Sequence, residues 1–208
     1  MIEAHSINKT LSKYIPLEAL HYCTQLWIEQ PFNLKIKKKR TTKLGDYRYL
    51  PANKTHQISI NNDLNPYSFL VTYLHEVAHL KAFVTYGRQI KPHGLEWKAT
   101  FKEITLPLLN SSVFPDDVLR KLARYMKDPK ASSCNDHNLM RVLKGHDKED
   151  STFLADLEVG QMFKLGSRTF KKENLRRTRF VCQEVSTGRK YLISKTAVVE
   201  PLPESVVV

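Results

Sequence analysis

The alternation of apolar and polar positions divides the chain into a mixed first part and a strand-rich second part. In residues 16–30, Leu17, Leu20, Cys23 or Tyr22, Leu26 and Trp27 recur at helical spacing, Pro16 suits a first helical turn, and Pro31 ends the run. Three strand-like runs follow, at 33–40, 43–50 and 55–61. In the first, Leu34 and Ile36 alternate with Lys35, Lys37 and Lys39, which gives one buried and one solvated face. The links between the runs, Thr41-Thr42 and residues 51–54, have hairpin length and predict a small antiparallel sheet. Asn65-Pro66 supplies a side-chain cap and a first-turn proline for a helix that should stop at Gly87. Further helical patterns begin at His93-Gly94 and close at Pro107, then recur at about 115–127 and 136–144. Polar residues 145–151 read as a linker. Beyond them, short β-type runs are separated by Gly, Ser and Asn turns, with Phe163, Phe170, Phe180, Val181, Tyr191, Leu192 and Ile193 expected in a small core. The expected class is α+β, with a first domain over 1–145 and a small all-β unit over 152–203.

The stretch Tyr73–Phe83 carries the chemistry. His75 and His79 are one helical turn apart, so both imidazoles leave the same side of the helix and can reach one Zn2+ at about 2.0–2.1 Å. Glu76 sits roughly 100° around the axis, where a carboxylate can serve a water beside the metal without ligating the ion. Tyr73, Leu74, Val77, Ala78, Leu80, Ala82 and Phe83 make the helix apolar nearly all around, which is the mark of a buried helix. Two histidines and a glutamate are costly there without a partner. A catalytic zinc needs a third protein ligand and an open fourth position. Thr85 excludes the longer pattern with a third histidine on the same helix. His93, at a turn fourteen residues after His79, is the better candidate, with Glu96 and Glu103 as the alternatives. Tyr67 and Tyr86 are candidate oxyanion donors. Cys134 and His137 suggest a second site, but a loop leading to an Asn or Asp helix cap explains them better.

Residues 55–61, the helix 69–83 and the segment 91–97 together resemble the SprT-like family of zinc metalloproteases. The resemblance spans about residues 10–110. It implies a zincin-like core with His75, His79 and His93 as zinc ligands and Glu76 as general base. It also implies either proteolysis of protein substrates, as in the Spartan proteases that degrade proteins crosslinked to DNA, or a role of the transcription elongation factor type. Many relatives carry a zinc ribbon after the core. Here Cys182 has no second cysteine near it, so a metal-free β unit and one zinc per chain are expected.

Charge adds a partner. The net charge is +12 with a pI near 9.6, and residues 31–60 alone hold eight Lys or Arg against one Asp. Such an excess suits a polyanion. In the tail, Arg168, Lys171, Lys172, Arg176, Arg177 and Arg179 alternate with Phe170, Phe180 and Tyr191, a mixture that suits DNA, single strands above all. Three scattered cysteines without a CxxC pair suit a reducing compartment. The first residues lack an apolar signal region and no run is long enough to span a bilayer, so a cytoplasmic location and no membrane partner are expected.

Overall fold

The computed structural model describes residues 2–40, 42–129, 136–147 and 152–203. The chain forms two compact units, Met1–His146 and Asp147–Val208.

The first unit opens with α1 (Ile2–Leu11), which the pattern reading did not include, and α2 (Leu17–Glu29). α1 packs on α2. Ile7, Leu11 and Ile15, spaced by four, are all buried, so the period was present in a polar-looking segment. The sheet consists of β1 (Asn33–Lys37), β2 (Gly45–Leu50) and β3 (Thr55–Asn61) in the order β1-β3-β2. β2 and β3 form the expected hairpin. β1 runs parallel to β3, so the sheet is mixed rather than antiparallel. β1 and β2 flank β3 on opposite edges, and Arg40, just after β1, is fastened to the end of β3. Its Nε donates to Asn61 Oδ1 at 2.7 Å and its Nη1 to Ser59 Oγ at 3.0 Å. Asn61 Nδ2 donates back to the carbonyl oxygens of Arg40 and Lys43 at 3.2 and 3.0 Å.

α3 (Pro66–Tyr86) is the central element and packs against β2, β3, α4 (Leu95–Thr105) and α6 (His137–Lys144). Asn65 Oδ1 accepts from the N–H groups of Tyr67 and Ser68 at 3.1 and 2.9 Å, and Gly87, at φ 80°, closes the helix. Phe69, Leu70, Tyr73, Leu74, Val77, Ala78, Leu80 and Ala82 are fully buried. The Tyr73 hydroxyl reaches the Cys23 carbonyl at 2.8 Å, which satisfies the one polar atom of that buried ring. α5 (Asp116–Tyr125) packs with α6. Asp136 caps α6 by accepting from Leu139 N–H at 3.0 Å, as the loop-and-cap reading expects. Cys134 lies outside the described residues.

The second unit is a six-stranded antiparallel sheet in the order β4-β9-β5-β6-β7-β8. The strands are β4 (Thr152–Phe153), β5 (Met162–Leu165), β6 (Arg168–Arg176), β7 (Arg179–Glu184), β8 (Lys190–Ser194) and β9 (Val198–Pro201). Phe163, Phe170, Phe180 and Cys182 form its core. Val181 and Leu192 oppose one another across β7 and β8 on the other face, and Leu192 is 51% exposed, so neither fills the core as expected. The two-residue period places them outward once Phe180 and Cys182 point in. Lys172 is buried among these apolar residues, with Nζ 2.5 Å from the Leu157 carbonyl and 3.9 Å from the centre of the Phe180 ring.

Candidate metal centre

The register of α3 puts His75 and His79 on the side that faces the turn into α4. That turn, Lys91 to Gly94, is closed by the Gly94 N–H on the Lys91 carbonyl at 2.8 Å. His93 adopts φ 60°, a left-handed conformation uncommon outside glycine, and in it the ring swings back to α3. The three Nε2 atoms converge. They are 3.2 Å apart for His75 and His79, 2.9 Å for His79 and His93, and 3.2 Å for His75 and His93.

Hydrogen bonding alone cannot account for this triangle. A neutral imidazole nitrogen is either a donor or an acceptor. Among three atoms of two kinds, at least one pair is alike and therefore repulsive. A cation at the centre makes all three lone pairs favourable at once. Tetrahedral zinc bonds of about 2.0–2.1 Å would place the nitrogens about 3.3–3.4 Å apart, close to the spacing found here. The residues present therefore fit a metal ion, and they form the group of donors that comes together among the described residues.

Burial supports the same chemistry. Desolvation, joined by the neighbouring imidazoles, pushes His75 and His79 down to about 3, and burial also lowers His93. All three rings are thus neutral at physiological pH, the form that binds a metal. Trp97 of α4 holds them in place. Its ring centre lies 4.6, 5.2 and 4.7 Å from those of His75, His79 and His93, and its Nε1–H points to the His75 carbonyl at 3.4 Å.

Glu76 is 6% exposed and turns toward β2. Burial pushes its carboxyl up to about 8 and Asp46 adds to this, while the Tyr47 backbone N–H, Arg40 and Lys43 pull it down. Gly45 makes the approach of β2 possible, since a Cβ there would lie 2.6 Å from Glu76 Oε1.

Among the candidates read from the sequence, His75, His79 and His93 come together, and Glu96 and Glu103 do not join them. Tyr67 packs on Phe114 and His146, away from the imidazoles, and Tyr86 is 50% exposed at the far end of α3. The tyrosine at the site is Tyr47. Its ring is nearly parallel to that of His79 with centres 6.4 Å apart, and its hydroxyl is 3.0 Å from His56 Nδ1. The sequence reading placed Tyr47 only inside the strand-like run 43–50, and its place at the site depends on β2 lying beside α3.

Residues 18–115 match the model of the SprT-like family. This match, over just under half of the chain, supports the resemblance to the SprT-like family. The matched segment holds α2, the three-stranded sheet, α3 and α4, so it contains all three histidines and Glu76. Comparison with curated proteins and with solved structures gives no match. No helix among the described residues is long and apolar enough to cross a membrane.

Proposed function

We propose that the SprT-like domain is a zinc-dependent endopeptidase of the zincin type that cleaves protein substrates, with His75, His79 and His93 as ligands and Glu76 as general base. The observation that carries the reading is the convergence of three imidazole nitrogens beside a buried carboxylate on the same helix. Three neutral nitrogen donors suit Zn2+ and leave one tetrahedral position for water or substrate, as catalytic rather than structural sites do. A zinc ion held here would polarise the scissile carbonyl and acidify a water molecule.

The chain's own groups do the remaining work. Glu76, which a cation held beside it would favour in its ionised form, accepts the proton of the attacking water and passes it to the leaving amine. The Tyr47 N–H and the close backbone of Gly45 position that carboxylate. β2 is an edge strand beside Glu76, and that edge suits an extended peptide added as a further strand.

The net charge supports nucleic acid, DNA first, as the partner that brings the enzyme to its substrates in the cytoplasm. The same charge favours the second reading, a nucleic-acid-associated factor that keeps its zinc but does not cut. A buried general base at Glu76 counts against it, because a structural site has no use for one. Casein cleavage by the wild type and by Glu76→Gln, with zinc content measured for both, separates the two. Loss of cleavage with zinc retained supports the enzyme. Equal cleavage, or none in either protein with and without DNA, overturns it.

A further inference from the structure

We propose that the tip of the β6–β7 hairpin is a phosphate clamp that holds the backbone of a nucleic acid without reading its bases. The inference rests on the nucleic-acid reading of the partner and is independent of the peptidase reading.

The clamp is visible once the charges of the second unit are matched to their partners. From Lys164 to Lys195 the sequence holds ten Lys or Arg and two Glu. Both acids are taken. Glu184 accepts from Arg168 Nε at 2.5 Å, and Glu173 accepts from Lys190 at 2.9 Å. Lys172 is turned inward onto the Leu157 carbonyl. Seven cations remain, and three of them, Arg176, Arg177 and Arg179, gather at the β6–β7 tip, all exposed and without an ion pair among the described residues.

Their arrangement works against the fold that carries them. Arg176 and Arg179 are cross-strand partners, and like charges placed directly opposite destabilise a hairpin. Arg177 sits between them at φ 47°, where a non-glycine side chain is disfavoured. The ladder is irregular between Lys172 and Leu175, and such bulges add local twist and re-aim the residues that follow. Leu175 beside the tip is 52% exposed. The Lys195 N–H donates to the Thr178 carbonyl at 3.2 Å and brings the end of β8 to the same place. Local choices that oppose the fold mark sites whose compensation comes from a ligand. Guanidinium forks match the oxygens of phosphate.

The same geometry removes the bases from the contact. Phe170 and Phe180 are core residues, 2% and 8% exposed. Tyr191 is covered by the Arg168 guanidinium, 4.3 Å from its ring centre. The aromatics that suggested stacking on single strands are thus occupied in the fold. What remains at the tip is three positive forks, which touch phosphates alone.

The test uses the full chain with a short labelled duplex DNA, its separated strand, and vesicles containing anionic phospholipid. Binding is followed against salt for the wild type, Arg179→Gln, the Arg176→Gln/Arg177→Gln/Arg179→Gln variant, its all-Lys counterpart, and Lys35→Gln/Lys37→Gln/Lys38→Gln on β1. Three phosphate contacts predict that the triple Gln variant loses about 2.7 from the slope of log affinity against log salt on duplex, and Arg179→Gln about 0.9. The all-Lys variant keeps the slope, the β1 variant changes it little, and duplex binds as well as single strand. The triple Gln variant unfolds no earlier than the wild type, because it relieves the Arg176–Arg179 repulsion. A wild-type slope in the triple Gln variant overturns the clamp, as does loss in the β1 variant instead. A strong preference for single strands returns the contact to stacking. Failure of the wild type to bind either DNA, or binding to vesicles alone, overturns the nucleic-acid reading itself.

Discussion

Gly45 and Glu76 touch across the boundary between sheet and helix. A methyl group on Gly45 would lie 2.6 Å from Glu76 Oε1 and 2.7 Å from Thr72 Cγ2, too close for either to stay in place. Gly45→Ala should cost about 1–3 kcal/mol of stability by overpacking. It should also move the carboxylate enough to lower proteolysis on the order of 100-fold. Zinc content should not change, since no ligand is displaced. Denaturant unfolding, elemental analysis and a cleavage assay on the same preparation check all three. Full activity would show that β2 does not set the position of Glu76.

The triangle of imidazoles should make the first unit's stability depend on metal. At an ion concentration about 100 times the dissociation constant, binding contributes about 2.7 kcal/mol, which a chelator should remove from the wild type. His93→Ala should contain little zinc and unfold at the same temperature with or without chelator. Glu96→Gln and Glu103→Gln should keep both zinc and the chelator response. Zinc retained in His93→Ala would exclude the triad.

Trp97 touches all three imidazoles and is fully buried. Trp97→Ala should cost about 3–5 kcal/mol. The milder Trp97→Phe keeps a ring but loses the contact to the His75 carbonyl, and zinc affinity should fall about 10- to 100-fold. Competition with a chromogenic chelator measures this. Unchanged affinity would reduce Trp97 to packing alone.

The second unit should be sensitive to acid through Glu184. The Arg168 guanidinium, helped by the Thr187 hydroxyl, holds that carboxyl down at about 2, below its ordinary value of 4.5. A folded-state value below the unfolded one stabilises the fold above about pH 4.5, and the contribution is lost as pH falls toward 2. The protection of β6–β8 amides, taken relative to the intrinsic exchange rate at each pH, should therefore fall across that window. Glu184→Gln should flatten the dependence. An equally steep response in the variant would assign acid sensitivity to another group.

The parts of this molecule legible in the sequence are those fixed by near neighbours. Asn65-Pro66 and Gly87 bound α3 because caps act within a few residues, and His93 stood out because a turn follows the helix. The direction of β1 was not legible, since it depends on how Arg40 ties residues 38–44 to Asn61 and Ser59. Nor were the partners of the tail's charges. Lys172 looks solvated until β6 lies against the Leu154–Asp156 turn, and Glu184 looks surface-bound until Arg168 covers it. Phe170 and Phe180 fit a stacking surface as well as a core, and only the pairing of β6 with β7 decides.

The left-handed backbone of His93 has a kinetic consequence. Such a conformation costs of the order of 1 kcal/mol and persists only while something holds it. His75 and His79 are fixed by a buried helix, whereas His93 hangs on a turn closed by one backbone bond. The ion should therefore leave by the turn, with His93 letting go first and the helical pair last. Pro92→Gly, which loosens the turn without touching a ligand, should speed zinc transfer to a chelator more than it lowers zinc content. The residence time of a bound metal would then be set by the eight residues between two helices and not by the helix that carries most of its ligands.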